Sequence, residues 1–174
     1  MKSTKISSRA TAVGAVLAVD GLLHLYWATG RTWPVGGTAR LSQLVLNTQV
    51  PFTPQGLVPL AGALFSGAAL VLVRGGRLPA LGRRLSALLP RWGSRAVACG
   101  LLIRGAAGLV WVTGVGADPG DTFYWLNLLL YTPLCLVLGR AAWQVAASST
   151  APVGTAATGT ACVGTAASDT VMRA

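Results

Sequence analysis

The chain has 174 residues, of which 53% are hydrophobic and only 10% charged, with a mean hydropathy of +0.61. A soluble domain carries about 25% charged residues, so this composition excludes an ordinary water-facing surface and points to a bilayer. The net charge of +10 does not indicate nucleic acid, because basic residues in so apolar a chain flank membrane spans on the cytoplasmic side.

A spanning helix needs roughly 20 mostly apolar residues. Residues 10–29 meet this requirement, interrupted only by Asp20 and His24. Residues 57–73 form a shorter, uniformly apolar second run that can extend toward Pro54. A third covers 95–115 with Arg104 inside it, and a fourth covers 123–143 with Pro133 inside and Arg140 near its end. The prediction is an all-α, four-helix transmembrane bundle over 10–146, preceded by a basic segment, 1–9. Its first run passes Asp20 without a well-placed small-x-small site, so it reads as an uncleaved span rather than a signal peptide.

Orientation follows from lysine and arginine. The N-terminal segment holds Lys2, Lys5 and Arg9, and the second connection holds six arginines from Arg74 to Arg95. Arg140 and Arg173 add to the same side, which then has eleven basic residues against two, Arg31 and Arg40, on the other. This bias predicts a cell-membrane protein with both termini in the cytoplasm. Residues 147–174 are Ala, Thr, Gly, Ser and Val for the most part, with little bulky surface to offset the entropy of ordering, and read as a disordered tail. Small residues with three others between them, Gly62/Ser66 and Ala63/Gly67 on the second span, and Gly100, Ala107 and Gly108 on the third, read as helix-packing surfaces.

Ionisable groups inside a span are costly and face a partner or a water-filled cavity. Asp20 and Arg104 fall at similar depths near the midplane, so an Asp20–Arg104 ion pair is the economical expectation. His24 and Trp27 follow Asp20 at helical spacing and share its face. On the fourth span Tyr124, Asn127 and Tyr131 form a second polar stripe, and Pro133 removes a hydrogen bond to the carbonyl of Leu129 and should distort the helix there. The candidate binding residues are therefore Asp20, His24, Trp27, Arg104, Asn127 and Tyr131, lining an outward-opening cavity.

No catalytic residue is assigned. The chain has one histidine, and Asp20 is the single acidic residue within the spans; neither a nucleophile motif nor a phosphate-binding loop is present. One histidine cannot supply both axial ligands of a haem, and too few ligands are on offer for a metal, so no cofactor or metal is expected. The cysteines, Cys99, Cys135 and Cys162, show no CxxC spacing and indicate neither a disulfide framework nor zinc.

The strings HLYWATGRTWP after the first span, FTPQGLV before the second, LIRGAAGLV in the third and LNLLLYTPLCLVLG in the fourth resemble a bacterial integral-membrane family catalogued as domain of unknown function 3995. The resemblance covers about residues 10–143 and implies a four-span protein without an established activity. At Asn127 this chain departs from the aspartate often found in the family, which weakens a proton or cation role there. The expected function is a small bundle whose outer polar cavity takes a small molecule, a lipid headgroup or a partner subunit. The alternatives are a membrane enzyme using His24 as acid–base, and a purely structural subunit of a membrane complex.

Overall fold

Water is absent from a bilayer core, so an apolar segment there must satisfy its backbone groups internally, which a helix does. A computed structural model describes residues 2–148, and all regular structure among them is helical. The elements are α1 (Lys2–Ala28), α2 (Thr38–Leu46), α3 (Pro54–Arg74), α4 (Pro79–Arg84), α5 (Leu88–Val112), α6 (Thr122–Leu126), a π-helical segment (Asn127–Tyr131) and α7 (Thr132–Ala147). The last three run on as one fourth span, Thr122–Ala147. With Thr4–Ala28, α3 and α5, it makes four helices long and apolar enough to cross a membrane, the make-up of a multi-pass membrane protein.

The helix ends follow local chemistry. Pro54 and Pro79 sit in the first turns of α3 and α4, where a missing N–H costs nothing. Beyond α5, Gly114 takes a φ of +87°, a conformation that side chains with a Cβ resist and that lets the chain turn back toward α6. The third helix begins at Leu88, seven residues before the expected start of its span, because Pro90 is tolerated in a first turn and does not delay it. The distortion expected at Pro133 takes the form of the π segment just before it, after which α7 continues to Ala147. The expected disordered tail, Cys162 included, lies outside the described residues, apart from Ala147 and Ser148.

α1 packs along α3 and α7, and α5 packs along the same two helices, so the four spans form a ring of neighbours. One core lies toward the arginine-rich end, built from Ala10, Val13 and Leu17 of α1, Ala68 and Val71 of α3, Ala98 of α5, and Leu138, Ala142 and Val145 of α7. A second lies at the opposite end, where the short α2 lays Leu41 against Trp27 and Leu57. Glycines allow the close approaches: a Cβ on Gly67 would stand 2.9 Å from Val97, and one on Gly105 2.6 Å from Leu136. Gly62 and Gly100, expected to pack, have nothing within 4 Å of a Cβ and face outward. Side chains such as Ile103, Leu129 and Val137 are about two-thirds exposed or more and supply lipid-facing surface.

One asymmetry positions the candidate site. α1 packs on α7, whereas its contact with the π segment and α6 is marginal at most. Above Thr132 the first and fourth spans therefore share few close contacts, and α2 leans on α6 at the upper end.

Candidate functional site

The polar groups of α1 come first. His24 follows Asp20 by four residues, so one turn of helix brings the imidazole back onto its neighbour. Its Nδ1 lies 2.8 Å from the Asp20 carbonyl oxygen and 3.4 Å from the carboxylate. Both are acceptors, which places the proton on Nδ1 and directs Nε2 away from the pair. The Asp20 side chain is 46% exposed and that of His24 13%. His24 also meets the Trp27 ring edge-on at 5.2 Å. Trp27 itself is buried, donates its indole N–H to the carbonyl of Trp33 and rests against Phe52. It belongs to the core under α2 and does not line open space.

The second group joins α5 to the fourth span. Arg104 donates to the Asn127 side-chain oxygen at 3.2 Å and lies over the rings of Trp111 and Tyr131 at 4.9 and 5.7 Å. Asn127 is fully buried, and each of its polar atoms is used. Its amide donates to the Gly108 carbonyl at 2.8 Å, and its oxygen also accepts from the Thr132 hydroxyl at 3.3 Å. The Tyr124 hydroxyl donates to the carbonyl of Val112 at the end of α5 and takes no part in this network.

The expected Asp20–Arg104 ion pair is not formed. Asp20 pairs with His24 on its own helix, and Arg104 spends its charge on an amide oxygen and two aromatic faces. Similar depth placed both charges near the midplane, but it did not fix their directions around the helix axes. Among the described residues no hydrogen bond or ion pair links the α1 group to the α5 group.

Sequence reasoning missed Trp111 and Thr132, and read Gly108 as a packing residue without placing it beside the polar group. Trp111 stands seven residues, two turns, beyond Arg104, so that spacing alone pointed to a shared face. Gly108 stands one turn beyond Arg104, and its packing against Thr132 and Asn127 is so close that a Cβ would lie 2.0 Å from the Thr132 hydroxyl.

Two depressions can be described, and neither is lined by the candidate residues. One, of about 340 Å³, is an apolar hollow beside Val19, Leu22, Leu23, Tyr26 and Trp33. The other, of about 330 Å³, lies at the arginine-rich end between α3, α5 and α7.

No curated protein and no solved structure matches the chain. A family model described as "Protein of unknown function (DUF3995)" matches residues 17–142, a stretch that includes every member of both polar groups. The chain belongs to that family.

Proposed function

We propose that this is a binding protein of the cytoplasmic membrane, with both termini on the cytoplasmic side. In this reading a cleft where α1 and the upper fourth span share few contacts holds a small molecule, a lipid headgroup or a partner subunit. Asp20, His24, Arg104 and Tyr131 supply its polar groups, Asn127 holds Arg104 in place, and Trp27 braces the helix that carries the first two. The observation that supports this reading is the exposure of Asp20. Eight residues separate it from the Ala28 end of the span, about 12 Å at 1.5 Å per residue. A carboxylate at that depth that stays 46% exposed beside its histidine needs water or a partner group, because hydrocarbon offers neither. The orientation rests on the bias of lysine and arginine.

Native mass spectrometry of the protein released from native-membrane discs tests the reading. The wild type should carry an added mass, small for a ligand and large for a subunit. Asp20→Asn should lose that mass while the folded protein accumulates to the same level. A wild type released bare, or an adduct equally retained by Asp20→Asn, would overturn the proposal.

A further inference from the structure

We infer that Arg104 receives the acidic group of the bound molecule, and that this molecule is an amphiphilic acid, a carboxylate or phosphate on an apolar body. The inference rests on the proposed binding role and goes further by naming the chemistry of what is bound.

A guanidinium carries five N–H donors in one plane and has no acceptor. In Arg104 the Nη1 group donates to Asn127, and the rings of Trp111 and Tyr131 lie beside the plane. Nε and Nη2 have no acceptor among the described residues; the side chain is only partly buried, and both nitrogens reach the molecular surface. Their N–H bonds leave along one edge of the plane, the edge that meets the paired oxygens of a carboxylate or phosphate. The fork is also set in advance. Asn127 is fully buried and is itself held by the Gly108 carbonyl and the Thr132 hydroxyl, so little ordering is left for the binding step.

Charge makes the same demand. Asn127 is neutral, and the rings offer only their quadrupoles, so Arg104 keeps its full positive charge. The described carboxylates are Asp20, Asp118 and Asp121. Asp20 pairs with His24, and the other two lie in the connection ahead of α6; none is bonded to Arg104. Eight residues separate Arg104 from the Val112 end of α5, about 12 Å at 1.5 Å per residue. A cation left without a counter-charge at that depth is costly. An anion with paired oxygens neutralises it and uses both open donors at once.

Depth also selects the carrier. A small ion must give up its water to reach this level, whereas an acid on an apolar body gains by burying that body. Leu129 and Leu130, next to Tyr131, are 70% and 49% exposed and give an alkyl chain a surface to run along.

The test uses the full chain in a neutral detergent and measures retained radiolabelled palmitate by scintillation proximity. The competitors are hexadecyl phosphate, hexadecanol, acetate and inorganic phosphate. Hexadecyl phosphate should displace palmitate at least about tenfold better than hexadecanol, which has the same chain without the acid. Arg104→Gln should weaken palmitate binding by about tenfold or more, and Arg104→Lys, which keeps the charge but not the fork, should fall between. Arg83→Gln combined with Arg84→Gln, two exposed positions on α4, should bind as the wild type does and controls for diffuse attraction. Equal competition by hexadecanol would overturn the acid, and equal competition by acetate or inorganic phosphate would overturn the apolar carrier. Undiminished binding by Arg104→Gln, or an equal loss in the α4 double variant, would overturn the site. The competition series on the wild type requires no variant to fold. A wild type that keeps a non-acidic adduct from native membranes and takes up neither palmitate nor hexadecyl phosphate would defeat this inference alone. Release of a bare protein from those membranes would defeat the binding role beneath it.

Discussion

The Arg104 guanidinium donates to the side-chain oxygen of Asn127 at 3.2 Å, and so ties α5 to the π segment of the fourth span. The bond gives a midplane cation a partner that carries no charge. Two aromatic faces lie beside it, where cation–π attraction in a dry setting is worth about 2 kcal/mol.

This geometry predicts which substitutions are coupled. In a double-mutant cycle, Arg104→Ala and Asn127→Ala should interact by about 0.6 to 1.7 kcal/mol, the range seen for hydrogen bonds between membrane helices. Asp20→Asn and Arg104→Gln share no bond and should couple less than half as strongly. Unfolding in mixed micelles titrated with SDS measures both. A stronger coupling for the second pair would mean that the two charges meet directly.

The glycines of α5 should differ sharply. Gly108→Ala places a methyl group where the Thr132 hydroxyl and Asn127 oxygen already stand, and overpacking of that kind costs about 1–3 kcal/mol. Gly100→Ala meets nothing within 4 Å and should change stability by less than about 0.5 kcal/mol. The same titration, run on the two variants side by side, decides it; equal effects would contradict the packing at Gly108.

His24→Gln keeps a hydrogen-bonding side chain near Asp20. Its cost in stability should be about 1 kcal/mol or less. Within the proposed function, the same variant should lose the mass retained by the wild type in native spectra. A variant that unfolds instead would show the imidazole to be a structural post.

Topology can be checked by labelling. With the native cysteines replaced by serine, Arg40→Cys should react with a membrane-impermeant maleimide in intact cells, and green fluorescent protein fused at either terminus should fluoresce. Labelling of Arg40→Cys only after permeabilisation would reverse the orientation.

The four spans were legible because an apolar run of sufficient length in a bilayer has one low-energy answer. The Asp20–His24–Trp27 face was legible for a similar reason, since spacing on one helix fixes angle as well as depth. Contacts between helices were not. Asp20 and Arg104 agree in depth, yet each found its partners elsewhere, and rotation of one helix against another leaves no mark in a single sequence. The short α2 was missed because its nine residues sit in a connection and bury little beyond Leu41 and Ser42. The small-residue patterns proved half informative: Gly67 and Gly108 pack closely, while Gly62 and Gly100 carry the same pattern on outward faces.

The π segment sets the fourth span out of phase with itself. Asn127 and Thr132 are five residues apart, which in an α-helix would swing them about 140° from one another, yet their side chains share a hydrogen bond. The wider turn absorbs one additional residue. The span therefore carries two helical reading frames offset by a single position, one that seats Phe123 against Trp111 and one that seats Leu138, Ala142 and Val145 in the core. Deleting one residue between 127 and 131 would leave the span long enough to cross the bilayer while merging the two frames. With α7 held in the core, the upper segment would turn by about 100° and carry any retained Asn127 away from Arg104. A change invisible to hydropathy would thus dismantle the network at its centre.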